Sequence, residues 1–307
     1  VISTGRPIQR GHVQPAGIVV RVAASHIRVG TFHLAAQTDY TRQLADYAIA
    51  RHYPGCDYRD FFLQLMDAQI RTVSQWMRLG FIHGVMNTDN TTISGETIDY
   101  GPCAFMESYS PSTGFYSIDT QGRYAFGNQP SILGWNLARL AESLLLLFDL
   151  DLNKAMDFAQ ESINGFTDRF EAQRKADMVA ALDTSPDILS AYSAAMQLNG
   201  PDITLAHRAL ADAAAGHPTP ARELLPEGDF LDEYLASSPD PSRVNSAMPR
   251  VIPRNLAVEA ALNAAERGDM SPYQELLHAV THPWEPNPSF ESPDPNGLEG
   301  YLTYCGT

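Results

Sequence analysis

The chain has 307 residues, of which 44% are hydrophobic and 19% charged, a balance that suits a folded protein with one large core or two small ones. A formal net charge of −15 argues against general nucleic-acid binding, which needs a concentrated basic face. No apolar run looks long enough to span a bilayer, and the amino terminus lacks a charged-then-apolar leader. The expectation is a cytoplasmic protein with neither membrane nor nucleic acid as partner. Cys56, Cys103 and Cys305 are too few for a disulfide scaffold and form no CxxC pair.

In chain order, the β-branched run at 17–23, "GIVVRVA", predicts a strand, with a second at "IRVGTF". From Tyr40 to Tyr53 the apolar positions recur at helical spacing until Pro54 and Gly55. Phe62, Leu65, Met66, Ile70, Val73, Trp76 and Met77 then mark one face of a helix over 61–79, stopped by Gly80. Between Phe81 and Gly101 the pattern becomes short and punctuated, and "TTIS", "SGET" and "TIDYG" predict a small β-hairpin. Helices follow over 132–148, 153–182, 186–198, 203–215 and 254–267, with Trp76 and Trp135 expected in the core. Strands are expected only in the first hundred residues. The Pro/Gly-rich stretch 282–300 predicts an extended surface tail. The fold class is α+β, mainly α.

Chemistry concentrates in "HGVMNTDNTTISGETIDYG". Transfer of a phosphoryl or nucleotidyl group needs a divalent cation, Mg²⁺ or Mn²⁺, held by hard oxygen ligands on adjacent loop ends. Asn90 before the hairpin and Asp99 after it meet that need. Protein kinases use His-Arg-Asp, four residues and Asn, then a hairpin and Asp-Phe-Gly. Here His83 to Asn90 has the same length, and Asp99-Tyr100-Gly101 stands where Asp-Phe-Gly would. Val85 occupies the position of the catalytic Asp and cannot take a proton. Asp89 is the nearest carboxylate able to serve as general base. Taken alone, an Asp-Asn pair is more often a turn or a cap; the spaced set carries the assignment. His83 is expected to brace its loop and His26 to be a buried or capped histidine.

The segments "RVAASHIRVGTF", "LADYAIARHYP", "GFIHGVMNTDN", "ISGETIDYGPCAFM", "QGRYAFGNQP" and "WNLARLAE", in that order, and later "MPRVIPRNLAVEAALNAAERGD", resemble the selenoprotein O family. That resemblance implies a protein-kinase-like C-lobe with remnant N-terminal strands. It also implies a protein adenylyltransferase that binds ATP in a flipped orientation and transfers AMP to Ser, Thr or Tyr hydroxyls of proteins. By residue it implies Asp89 as general base, Asn90 and Asp99 as metal ligands, and Arg21 and Arg28 as nucleotide-phosphate contacts. Planar guanidinium groups suit that last task through paired hydrogen bonds, although an arginine taken alone is most often surface charge. The implied division is 1–35 as N-lobe remnant, 36–281 as helical catalytic lobe and 282–307 as tail. A cysteine close to the carboxyl end makes Cys305 a redox candidate. Cys103 is the first partner to test, a position nearer Phe115 and Tyr116 is the second, and an inert exposed thiol is the plain alternative.

No GxGxxG occurs and no lysine precedes Lys154, so the glycine-rich loop and strand lysine of a kinase-like nucleotide clamp are expected upstream of Val1. Alone, the chain is then expected to bind ATP weakly. Residues 107–127 stand at the activation-segment position, where a protein substrate would lie. A noncatalytic kinase-like binding module is the alternative from a different class. Phosphotransfer to a small molecule is disfavoured, because such enzymes need the Asp that Val85 replaces.

Overall fold

The computed structural model describes residues 2–10, 12–226, 229–295, 297–298 and 300–303. It is mainly helical, with two small two-stranded sheets. Strands β1 (Ile2–Arg10) and β2 (His12–Ile18) form an antiparallel hairpin whose register shifts between Ser3 and Pro7. The strand expected at 17–23 therefore ends at Ile18. A strand needs a neighbour for its N–H and C=O groups, and none of the described segments pairs with Val19, Val20 or Val22, which are exposed. The second expected strand is helix α1 (Val29–Ala36). Its first turn is set when Arg28 N donates to Thr31 Oγ1 at 3.1 Å, a capping arrangement that outweighs the β-branched composition.

Helix α2 (Thr41–His52) buries Ala45 and Ala48 and leaves Tyr47 exposed, whereas helix α3 (Tyr58–Leu79) follows the apolar periodicity closely. The Asp57 side chain caps α3 by accepting from Asp60 N at 2.8 Å, and Gly80 closes it in the left-handed region at φ 73°. Phe61, Phe62, Leu65, Met66, Ile70 and Val73 are buried along one face, each worth about 1.5–3 kcal/mol of apolar burial. The chain then enters β3 (Phe81–Ile82), antiparallel to β4 (Ala104–Phe105), so the named strands reach just past the first hundred residues, while isolated bridges join Ser108 to Asp202 and Tyr116 to Thr303.

Helix α4 (Gln129–Phe148) crosses behind the predicted hairpin and buries Leu133, Leu137, Leu140 and Leu144 against α1 and α3. With the turn before it, Phe126–Phe148 is long and apolar enough to cross a membrane by length and composition, which corrects the expectation that no run is. Its packed apolar face and fully buried Asn136 are those of a core helix. Trp135 is not core: it is 43% exposed, flanked by the Arg123 and Arg139 guanidiniums at 5.1 and 5.5 Å from its ring, a cation–π arrangement that keeps an indole at the surface.

The helix expected over 153–182 is two, α5 (Leu152–Asn164) and α6 (Phe166–Leu182), divided at Gly165. Helices α7 (Pro186–Asn199) and α8 (Ile203–Ala214) start on the capping side chains of Ser185 and Asp202. Short helices α9 (Thr219–Leu224), α10 (Phe230–Ala236) and α11 (Pro241–Ala247) follow, and α12 (Asn255–Glu266) and α13 (Ser271–Thr281) pair with each other. The Pro-rich stretch is anchored where an extended surface tail was expected. Pro283 O accepts from Arg250 N and Val251 N, a last turn, α14 (Pro288–Glu291), offers Glu291 O to Arg254, and Thr303 exchanges main-chain bonds with Phe115 and Ser117.

Candidate active site

The loop between β3 and β4 carries Asp89, Asn90 and Asp99, and Arg21 and Arg28 reach it from the segment before α1. Main-chain bonds from Val29 N to Thr91 O at 2.9 Å and from Ile93 N to Ile27 O at 3.1 Å lay residues 27–29 along 91–93. Arg28 is thereby fixed beside Asn90–Thr92, with an isolated bridge to Thr92. The irregular stretch before it is pinned at Ala24, whose N donates to Glu96 Oε2 at 2.8 Å and whose carbonyl accepts from Arg51 Nε and Nη2 at 3.2 and 2.9 Å. Arg21 then reaches Asp99, Nη2 to Oδ1, at 3.2 Å. Residues at 21, 28, 90 and 99, spread over 79 positions of sequence, surround one hairpin whose closing bridge is Thr91 to Thr97.

Asp89 and Asn90 sit on a short 3₁₀ turn, Thr88–Asn90, capped by Asn87, which accepts from Asp89 N at 3.0 Å. The Asn90 amide nitrogen donates to Val85 O at 2.8 Å, leaving its oxygen as the end free to ligate. Asp99 has φ 61°, a left-handed conformation that Asp tolerates better than most side chains and that recurs at functional sites. Its Oδ2 has no hydrogen-bond partner among the described residues, so an amide oxygen and a carboxylate oxygen are both available. That hard-oxygen pair suits Mg²⁺ or Mn²⁺, which take waters and phosphate oxygens for the rest of their shell. Among the described residues no cluster of three His, Cys, Asp or Glu side chains could hold a metal by itself. Among the described residues Arg28 makes no ion pair, and its Nε is buried without a partner. The Asp89 carboxylate is exposed and lies against the first turn of α1, where a methyl at position 30 would sit 2.1 Å from its Oδ1. Gly30 is what admits it.

Asp99 and Arg21 line a cleft of about 950 Å³ with Val19, Thr72, Trp76 and Glu96, at the upper end of the range for small-molecule and cofactor sites.

Four buried side chains hold the loop from behind. His83, wholly buried, makes a 2.8 Å bond from Nε2 to Ile98 O, next to Asp99, while its Nδ1 accepts from Val85 N at 3.3 Å. Desolvation lowers its pKa from the ordinary value, so it is a neutral brace, as its position in the sequence suggested. Gln129 donates to Phe81 O at 3.0 Å and accepts from His83 N at 3.1 Å. Asn136 donates to Met86 O and Thr91 Oγ1 at 2.8 and 3.0 Å, and Gln69 donates to Thr92 O at 2.5 Å. Sequence reasoning missed these three amides, although each breaks an otherwise apolar helical face. Glu96 and Arg51 were missed as well. His26, expected to be buried or capped, is exposed, although its neighbours Ser25 and Ile27 turn inward.

Burial pushes the Cys103 thiol up to about 11, and its Sγ donates to Tyr100 O at 3.1 Å. Cys305 lies outside the described residues; the chain approaches it at Thr303, which bonds both Pro102 O and the Phe115 main chain.

A family model described as protein adenylyltransferase SelO matches residues 1–199. The chain belongs to the SelO family. A relative called protein nucleotidyltransferase YdiU in Corynebacterium efficiens is 46% identical over 330 aligned residues, covering all of this chain and 66% of its own length. Relatives of the same name in Mycobacterium sp. strain KMS and Cereibacter sphaeroides strain ATCC 17029 are each 45% identical, with 68% and 69% of their lengths covered. This SelO-family chain thus spans about two thirds of the curated relatives it matches.

Proposed function

We propose that the protein is a nucleotidyltransferase that moves AMP from ATP, with Mg²⁺ or Mn²⁺, to Ser, Thr or Tyr hydroxyls of proteins, in a kinase-like catalytic lobe. The observation that carries this reading is the convergence of Arg21, Arg28, Asp89, Asn90 and Asp99 on one hairpin, through the main-chain bonds of residues 27–29, the Arg21–Asp99 ion pair and the fit of Asp89 against Gly30. The family and the relatives' names support the reaction class. In the reaction the acceptor oxygen attacks the α-phosphorus, the bond to the bridging oxygen breaks, pyrophosphate leaves, and the hydroxyl proton passes to the Asp89 carboxylate. Arg28 and Arg21 take the phosphate oxygens by charge-assisted hydrogen bonds. Asn90 and Asp99 would hold the metal, which supplies charge neutralisation at the phosphates when bound. The anchored stretch 107–127 borders the loop and is the surface on which the acceptor protein is presented.

A noncatalytic binding module is the second reading, favoured by the Arg21–Asp99 pair, which already supplies Asp99 with a cation. The protein expressed at the full length its gene encodes, incubated with α-labelled ATP, Mn²⁺ and cell extract, decides between them. Wild type should label hydroxyl residues, Asp89→Ala should bind ATP without labelling, and Asp99→Ala should lose metal-dependent ATP binding. Labelling unchanged in both variants would overturn the assignment, and metal-independent ATP binding without labelling by wild type would favour the second reading.

A further inference from the structure

The carboxyl end of α13 carries His278 and, one turn on at the C-cap, His282. Residues four apart share one face of a helix, and here the two imidazoles lie against each other, with ring centroids 4.4 Å apart and planes 39° from parallel. Both side chains are exposed. The His282 ring is oriented by the main chain, its Nδ1 lying 2.9 Å from His278 O. A carbonyl only accepts, so Nδ1 carries the hydrogen and the neutral ring keeps its lone pair on Nε2. Thr281 Oγ1, 3.3 Å from the same nitrogen, donates its own proton to Leu277 O at 2.8 Å and therefore accepts as well. An Nδ1–H bonded to a backbone carbonyl, with Nε2 left bare, is the arrangement that orients ligating histidines in metal sites. The His278 ring has no hydrogen bond to any described residue, so either of its nitrogens can turn to a shared ion.

We infer that His278 and His282 form a two-imidazole site for a borderline divalent transition ion, Zn²⁺ or Cu²⁺. Paired histidines at this helical spacing are an established way to hold zinc. The separation fits: with nitrogen about 2.05 Å from the ion, a ring centroid stands about 3.2 Å from it, and two ligands at about 90–109° set their centroids about 4.5–5.2 Å apart. Rings at 4.4 Å need only a slight spreading, which exposed side chains make without disturbing the core. Ligand chemistry selects the ion. Imidazole suits zinc and copper, whereas Mg²⁺ and Mn²⁺ prefer oxygen, so this site does not compete with Asn90 and Asp99 for the same metal. Among the described residues no third His, Cys, Asp or Glu closes the shell; water fills the remaining positions, and the ion stays open to solvent. Its place gives it an effect on the fold. Pro283, next after His282, accepts from Arg250 N and Val251 N at 2.7 and 3.0 Å, and Glu285 N donates to His282 O at 3.0 Å. An ion shared by 278 and 282 clips the last turn of α13 to the residue from which this anchor starts.

Calorimetric titration with Zn²⁺ tests this on wild type, His278→Ala and His282→Ala, each in excess Mg²⁺ so that hard-oxygen sites are filled. Wild type should bind one Zn²⁺ that neither variant binds with comparable affinity. Loss of a ligating histidine's outer partner already costs about 10–100-fold in metal affinity, so loss of either ligand should weaken this binding at least ten-fold. With Cu²⁺ as the probe, electron paramagnetic resonance should resolve two imidazole nitrogens in wild type and one in each variant. Saturating Zn²⁺ should raise the melting temperature of wild type and leave both variants unmoved, since an ion held by the folded chain stabilises it. His278→Ala keeps the main-chain carbonyl that the His282 ring bonds, so it carries the test by itself should His282→Ala fold poorly. Equal Zn²⁺ binding by wild type and His278→Ala, a wild-type copper spectrum with a single nitrogen, or no saturable Zn²⁺ uptake below about 1 mM would overturn the inference.

Discussion

Gly30→Ala is a substitution that should raise stability and lower activity together. Position 30 lies in the first turn of α1 without a positive φ, so alanine fits the backbone there and should gain up to about 1 kcal/mol from helix propensity and reduced unfolded-state entropy. The added methyl would meet Asp89 Oδ1 at 2.1 Å and Cγ at 3.1 Å, with Thr88 Oγ1 at 3.5 Å beyond. An unstrained carbon–oxygen contact is about 3.3 Å, so the carboxylate must withdraw by about 1 Å. A displacement of that size at a reacting group costs about 100-fold in rate, equivalent to nearly 3 kcal/mol at the transition state. Asp89 is exposed and can swing into solvent cheaply, so the fold should survive while the proposed base is displaced. The assay pairs thermal melts with kcat for AMP transfer and the Kd for ATP. The melting temperature should hold or rise, kcat should fall by about two orders of magnitude, and ATP affinity should change little. In an Asp89→Ala background, Gly30→Ala should have no further effect on rate, because both act through one group. Full activity in Gly30→Ala, or a loss of activity that tracks a loss of stability, would refute this account of why position 30 is glycine.

The long helices were legible because their information is local. Residues 61–79 carry an unbroken apolar stripe between Asp57 and Gly80, and the structure extends that helix only to Tyr58. Asp89, Asn90 and Asp99 stood out because their spacing from His83 is a chemical pattern, and the structure places them on one hairpin. What held the site was not legible. The amides of Gln69, Gln129 and Asn136 bond main-chain atoms 23, 48 and 50 positions away, and nothing in a one-dimensional pattern states which carbonyl a buried amide will meet. The failed strands have the same cause. "GIVVRVA" has strand composition, but a strand exists only with a partner, whereas "IRVGTF" became a helix because Thr31 caps Arg28 and its Val29 N–H went to Thr91. Proline and glycine content marked the surface stretch after residue 282, while the anchors that hold it, Arg254 above all, lie in another part of the sequence.

Arg254→Ala should destabilise the fold by about 3–5 kcal/mol. It strands Asp202 and Glu107, at 2.8 and 3.5 Å from its guanidinium, in a site where both are nearly buried; denaturant melts check this, and a loss below about 1 kcal/mol, the range of an exposed pair, would show that water reaches the cluster. Acid stability should carry the signature of His207. Its folded pKa, near 3 against 6.5 when unfolded, means that below pH 6.5 only the unfolded chain takes up the proton. Its contribution is thus complete above pH 6.5 and lost as pH falls toward 3, by roughly 1–1.5 kcal/mol per pH unit. His207→Leu should flatten the stability profile between pH 6 and 4, and an unchanged slope would assign the acid sensitivity elsewhere. Arg21→Ala should move two affinities in opposite directions. The Arg21–Asp99 pair is 36% and 48% exposed, so screening limits it to about 1 kcal/mol. Removing the arginine releases that amount to any cation competing for the carboxylate. Mn²⁺ should therefore bind the nucleotide-free variant up to about five-fold tighter than wild type. ATP, deprived of a charge-assisted contact worth about 1.5–3 kcal/mol, should bind at least ten-fold more weakly. A protein in which Arg21 only decorates the surface would lose neither, and one in which it serves only the metal carboxylate would tighten Mn²⁺ and leave ATP alone. Opposite shifts in one variant require that the same guanidinium leave Asp99 for the phosphates when the nucleotide arrives.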